Sequence, residues 1–475
     1  MRVLRPGLAG GSPAVFALGA ALTVVAAFGS VWVGAQISLG ALILAVVFVG
    51  ATIGFVSYPH LTVAGVVVLF GFLPTLKVFV GPEIGSLKEV VVAAAVAAAT
   101  ILFAFERRRP DERILLLVGI LLALYVINAG GTYNLAWAQG VRLIAEPLLL
   151  LVVGLTLPDP RRTLRYALGA LVATGCVVAA YGMLQQAVGE WTLVGWGYEF
   201  SQQVRTIDGR LRSFGTFDDP FAYAAFLLFG IAAVVFWLRR GTLAWTAGLL
   251  MLMGLGLSFV RTAALILVAF VGLQLGRWGY TPSGVLVVTA TIIAGGAILS
   301  GASGTRSQTY SVAGAGGGSA NVILNGRVSA WEAALGDEPR SWLLGRGVGE
   351  VGTAAERSQY RFGRARGGER TQTLAVDSGY LAVIADVGLV GLAVLLLLFA
   401  RLLVLAERAA RLGSNVGWAT LGLLIVLMLD ALTRASFTGF PTAFLGLFLV
   451  GIALAAVRAE SESPDGRATV AAAAG

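Results

Sequence analysis

The sequence predicts an all-α polytopic membrane protein. About 14 transmembrane helices are expected, with a large extracytoplasmic loop before the last three. Three observations carry this reading. The chain of 475 residues is 57% hydrophobic and only 12% charged, with a mean hydropathy of +0.86. No soluble domain of this length needs so much apolar surface. Apolar runs of about 20 residues, the length that crosses a hydrocarbon core, recur along the chain. One long polar stretch, from Thr305 to the re-entry at "AVDSGYLAVIADVGLVGL", interrupts them.

The candidate spans are 14–30, 36–56, 61–80, 89–105, 114–129, 139–157, 164–188, 221–238, 243–258, 262–276, 283–300, 378–400, 416–432 and 441–457. The start "MRVLRPGLAGGSPAVFALGAALTVVAAFG" resembles a signal peptide and is read as an uncleaved first helix, because many spans follow. With the N-terminus placed inside and the chain alternating, the basic groups Arg107–Arg109 with Arg113, Arg161 with Arg162 and Arg165, Arg239 with Arg240, Arg277, and Arg401 with Arg408 and Arg411 share the cytoplasmic side. The break "GTYNLAWAQG", segment 190–219 and loop 301–377 then face outward. Segment 190–219 carries Trp191, Trp196 and Tyr198 and is expected to hold a helix lying at the interface. Residues 458–475 are polar and rich in small side chains, and are expected to form a disordered cytoplasmic tail.

The net charge of +9 comes almost wholly from arginine, since Lys77 and Lys88 are the only lysines. In a membrane protein such an excess reports orientation, and no nucleic-acid-binding motif accompanies it. A single cysteine, Cys176, leaves no intrachain disulfide, and a single histidine, His60, argues against a His-rich metal site or a Ser-His-Asp triad. No metal and no cofactor is expected.

The polar loop holds nine arginines and six acids between Thr305 and Val376. This excess of positive charge at a membrane surface points to an anionic partner, against the plainer reading of a solvated loop. Within the spans, Arg142 and Glu146 are four apart and read as a self-neutralising pair, as do Asp430 and Arg434. Asp386 lies inside span 378–400 without a local partner. Arg261, in "LSFVRTAALILV", has no acid nearby in sequence. It reads either as a side chain snorkelling to the interface or as an arginine held there to meet a phosphate. Arg210 and Arg212 in "GRLRSFGTFDDP" have the same placement. Arg327 and Trp331 are four apart on an expected short helix. "GRGVGE", with Arg346, forms either an anion nest or a helix end. Asp377 heads the re-entering helix and is also a good N-cap.

Four stretches in order, "RLRSFGTFDDPFAYAAFLLF", "SFVRTAALIL", "NGRVSAWEAAL…LLGRGVG" and "DSGYLAVIADVGLVGL", resemble the O-antigen ligase and polymerase superfamily. The likeness covers Leu211 to Leu392 and divides the chain into N-terminal transmembrane helices (1–210), a ligase-like region (211–457) and the tail. It implies a glycosyltransferase of the cytoplasmic membrane that moves a glycan from a polyprenyl-pyrophosphate carrier to an acceptor hydroxyl outside, without metal or nucleotide. The pattern's two essential arginines match Arg261 and Arg327. Its histidine after the loop is replaced by Asp377, and its Asn before Pro by Asp219. Arg210, Arg212, Asp219 and Arg346 are the expected substrate-binding residues, and Asp377, Arg261 and Arg327 the catalytic ones.

The chemistry is sensible on physical grounds too. Fixed arginines can stabilise a departing pyrophosphate, and the acceptor hydroxyl needs a proton acceptor. With the lone histidine expected inside, Asp377 is the first choice of base, with Asp219, Glu350 and Glu369 as alternatives. The expected partners are the lipid-linked donor, a glycan or glycolipid acceptor and the bilayer, with no nucleic acid. The competing reading is a polytopic transporter of the bicarbonate-transport-like group. That reading requires polar or broken helices near the midplane, often in repeats, and no repeat is evident.

Overall fold

The computed structural model describes residues 39–106, 110–130, 133–200, 205–207, 210–238, 241–278, 339–350 and 378–461. These form a bundle of helices: α1 (Leu39–Ser57), α2 (Pro59–Val80), α3 (Leu87–Glu106), α4 (Glu112–Ile127), α5 (Leu135–Thr156), α6 (Pro160–Gly195), α7 (Pro220–Phe236), α8 (Thr242–Gly256), α9 (Arg261–Arg277), α10 (Pro339–Leu344), α11 (Gly379–Arg411), α12 (Asn415–Asp430) and α13 (Thr442–Ser461). Six of the described stretches are long and apolar enough to cross a membrane, and four shorter helices are also apolar. The chain is an all-α, multi-pass membrane protein. Only one piece of sheet interrupts the described helices, a hairpin of β1 (Thr206–Ile207) and β2 (Arg210–Leu211) that the sequence pattern does not announce.

Side chains set the helix starts. Asp111 caps α4 by accepting from the N–H groups of Arg113 and Ile114, and Asn134 and Ser414 cap α5 and α12. Each such cap contributes about 1 kcal/mol. Asp111 also binds Arg401 at 2.5 Å, which ties the start of α4 to the far end of α11.

The core is organised around α13. Its apolar window is 78% buried, against 33–56% for the other candidate spans, so it is the central helix and the others have a lipid-facing side. It packs on α5, α6 and α12, while α2 runs along α6, α1 along α3, and α7 between α6, α8 and α12. At the α5–α13 crossing Gly154 faces Gly451, and a methyl group on either would collide with the other helix's backbone. Small residues at such a crossing let dispersion forces act at short range, where no hydrophobic drive between helices exists. Helices from both sides of residue 210 therefore share one core.

Helix α11 is kinked at Gly388, whose φ is 72°. Short helix α10 lies against this kink, and a Cβ on Gly388 would overlap the Leu343 carbonyl. The following "GRGVGE" stretch is docked in the same way: Gly345, Gly347 and Gly349 all have positive φ and abut Asp386, Gly130 and Ala136 respectively. Asn128 donates to the Leu344 and Asp386 carbonyls at 2.7 and 2.6 Å, closing the clamp. Of the two sequence readings, Gly345 does end a helix, and close backbone approach accounts for the other glycines. Gly388→Ala is expected to destabilise the purified protein by about 3 kcal/mol or more, combining left-handed strain with backbone overlap. Gly119→Ala, with open space around the added methyl group, is expected to be neutral or slightly stabilising. Equal melting temperatures for the two variants would contradict this account.

Some expectations need correction. Within 190–219, a break at Gly189 (φ 77°) sets off a last short helical piece of α6 that ends at Gly195 and leaves Trp191 89% exposed. Tyr198 faces inward, packed with Leu193 and Phe214, because it serves the loop's own small core. Helix α13 runs through Arg458 to Ser461, into the segment expected to be disordered. Spans 14–30 and 283–300, the Arg327–Trp331 helix and most of loop 301–377 lie outside the described residues.

Candidate functional site

One face of the bundle collects the ends of α2, α6, α8 and α12 and the starts of α7, α9 and α11. The loop between α6 and α7 lines it. Gln185 holds this loop by accepting from the N–H groups of Phe214 and Gly215 and donating to the Gly215 carbonyl. Thr216 bonds to the Gly71 carbonyl at 2.5 Å, and Thr75 bonds to the Thr216 carbonyl at 2.8 Å. The loop is therefore a fixed part of the bundle.

Arg212 is buried within it. Its Nε donates to the Ser258 carbonyl at 3.0 Å, its guanidinium lies 4.9 Å from the Phe221 ring centre, and Ser213 N donates to Leu257 O at 2.9 Å. These bonds join the loop to the α8–α9 turn. Burial lowers the Arg212 pKa from its usual range; the Asp219 carboxylate opposes this and the Arg261 cation adds to it. Arg212 is thus within electrostatic reach of both Asp219 and Arg261.

Arg261 is exposed and is the first residue of α9, whose N-cap Val260 offers no side-chain cap. It makes no hydrogen bond or ion pair with another described residue. A cation at a helix N-terminus is opposed by the helix dipole, at about 0.3–1 kcal/mol. An anion placed there would meet both the guanidinium and the positive end of the helix dipole. The position is unfavourable for an empty surface and favourable for a phosphate.

Asp219 uses both carboxylate oxygens. Oδ1 caps α7 through Ala222 N at 2.8 Å, and Oδ2 pairs with Arg434 at 3.1 Å. Arg434 thus makes its close ion pair with Asp219 and acts on Asp430, four residues back, through its charge alone, while Asp430 accepts from Ser436 Oγ at 2.5 Å. Arg434 Nη1 is buried without a hydrogen-bond partner among the described residues. A 2.7 Å bond between Thr262 and Thr433 sets the neighbours of Arg261 and Arg434 side by side. Asp377 lies outside the described residues. Ser378, which follows it, is the N-cap of α11 in the place the sequence suggested for Asp377, and it is fixed at this same end: its Oγ donates to Ala431 O at 3.3 Å and Gly379 N donates to that oxygen at 2.7 Å.

The structure brings together Arg212, Asp219 and Arg261. Arg210 is exposed on β2, opposite Ile207. Arg346 is exposed in the clamp, its N–H bonded to Ala385 O, about 10 Å along α11 from Ser378. Arg327 lies outside the described residues. Sequence reasoning misses the ion pair of Arg434 with Asp219, and misses Arg205 altogether. Arg205 is buried, donates to the Asp218 and Glu199 carbonyls, and sits 4.2 Å from the Phe214 ring centre. Burial lowers its pKa, with Asp218 the main opposing charge. Lys77, 3.9 Å from Asp218, extends the cationic surface.

A second charged group lies beside it. Arg142 is 3.3 Å from Glu89 and 3.7 Å from Glu146, and Lys88 approaches both acids. The Arg142–Glu146 pair expected from sequence is therefore part of a four-residue network. Lys88 also lies 5.1 Å from the Phe444 ring centre. Asp386 lies near Gly349 of the clamp and the buried Tyr125 of α4, so its surroundings come from other elements rather than from its own helix.

No protein-family model matches this chain, and no curated protein does. The reading of the site rests on its residues.

Proposed function

We propose that this chain transfers a glycan from a polyprenyl-pyrophosphate carrier to an acceptor hydroxyl, as an enzyme of O-antigen ligase or polymerase type. The observation that carries the reading is the exposed Arg261 at a helix N-terminus, without a bonded partner among the described residues and grouped with Arg212 and Arg434 on one face of a membrane protein. The guanidinium groups hold the diphosphate and stabilise it as it leaves. The carboxylate of Asp377 takes the proton from the acceptor hydroxyl as that oxygen attacks the anomeric carbon. Arg327, from the large loop, completes the diphosphate clamp, and Arg210 and Arg346 meet the glycan.

The same proposal sets the orientation. The face opposite the site carries Arg161, Arg162, Arg277, Arg401, Arg408 and Arg458, so the positive-inside rule puts that face in the cytoplasm and the site outside. With about 14 spans in the cytoplasmic membrane, segment 190–219 and loop 301–377 lie outside. Single cysteines placed at exposed Glu190 or Arg210, in a Cys176→Ala background, are expected to label with an impermeant thiol reagent in intact cells or spheroplasts. Labelling only after the membrane is broken would sink the orientation and the site with it.

Deleting the gene tests the activity: a lipid-linked glycan is expected to accumulate, and re-expression is expected to clear it. The Lys88–Glu89–Arg142–Glu146 network favours a second reading as a transporter, since charges within spans often mark a permeation path. A deletion strain that accumulates no lipid-linked glycan would favour that reading.

A further inference from the structure

The far side of the bundle carries a second polar concavity, separate from the arginine site. It has a volume of about 870 Å³ and lies between the start of α4 and the ends of α5, α11 and α13. Arg113, Arg401, Arg408 and Arg458 line it, against the acids Asp111 and Glu112. The Asp111–Arg401 pair at 2.5 Å forms a neutral rib across the cavity. Arg113 and Arg408 are exposed and make no ion pair with another described residue, so the cavity keeps a positive excess. Its remaining wall is apolar, from Leu155, Leu405, Leu412, Leu454 and Val457.

We propose that this cavity binds the phosphodiester headgroup of an anionic phospholipid. Two features select a lipid over a soluble phosphate. The cavity sits where spanning helices end, at the depth of a headgroup. It also joins arginines to a leucine wall continuous with the exposed apolar flank of α11, which carries Leu397, Val404 and Leu412, so phosphate and acyl chain are met in the right order. Basic pockets between helices at a membrane surface are suited to such headgroups. Arginine forks bind phosphate oxygens in pairs. The volume falls within the range of small-molecule sites, about 300–1,000 Å³. A bound lipid would bridge α4 and α11 beside the Asp111–Arg401 tie and neutralise the surplus charge. This site does not depend on the proposed glycan transfer.

The test is lipid retention by the purified full-length protein, read by native mass spectrometry. Cardiolipin, phosphatidylglycerol and phosphatidylcholine are titrated separately, and inorganic phosphate is offered as competitor. The wild type is expected to retain cardiolipin and phosphatidylglycerol over phosphatidylcholine, with millimolar phosphate a poor competitor. Arg113→Gln and Arg408→Gln are expected to weaken retention singly, and together by about tenfold. Both positions are exposed, so folding is expected to survive. Arg165→Gln removes the same charge from the same face outside the cavity, and is expected to change nothing. Three outcomes overturn the proposal: equal retention of phosphatidylcholine, equal loss with Arg165→Gln, which reduces the effect to diffuse surface charge, or displacement by phosphate alone, which makes this a soluble-phosphate site.

Discussion

Arg261→Ala is expected to slow glycan transfer by about a hundred- to a thousandfold, the loss typical of removing one preorganised group that stabilises transition-state charge. The protein itself is expected to be no less stable. Arg261 is exposed, has no bonded partner among the described residues, and opposes the dipole of α9. Its removal therefore relieves a small repulsion. This combination separates function from folding, because an arginine kept for packing would lower the melting temperature when lost. Arg261→Lys keeps the charge without the planar fork and is expected to be intermediate. Wild-type transfer by well-folded Arg261→Ala would remove the residue from the site. Arg434→Ala would be a poorer test, since it also strips Asp219 of its partner.

Asp377→Asn is expected to slow transfer by about a hundredfold or more while leaving donor binding in place. Asparagine matches aspartate in shape but cannot take a proton at neutral pH, and because Ser378 is the N-cap of α11 the helix start is expected to be kept. The predicted signature is a fall in kcat with little change in KM for the lipid-linked donor. Asp219 is a weaker candidate for the same role, because both its oxygens are engaged, by Ala222 N and Arg434. If Asp377→Asn transfers at the wild-type rate when chemistry limits turnover, Asp377 is not the base.

The helices were legible because length and apolarity alone specify a span; α1 to α9 and α11 to α13 fall where the apolar runs lie. The site was legible in part. Arg261 declared itself by having no acid nearby in sequence. The Asp219–Arg434 pair is invisible in the sequence, because it joins residues 215 apart and the i,i+4 rule points only to Asp430. Arg205 resembles any loop arginine until the rings of Tyr198, Phe200 and Phe214 close around it. The glycines of "GRGVGE" were noticed, but their reason lies in backbone approach to α4, α5 and α11, which one-dimensional spacing does not encode.

The central place of α13 has a consequence for how the molecule is made. The ribosome emits α5 and α6 some 250 to 300 residues before the helix that covers them. Until then the groove that receives Gly451 and its neighbours must be lined by lipid or by an insertion factor. The arginine site inherits this delay, because Arg434 and the α12–α13 turn arrive just before α13. A nascent chain therefore has no assembled site while its last spans are still in the ribosome, and premature release would leave the earlier helices open to neighbours in the bilayer.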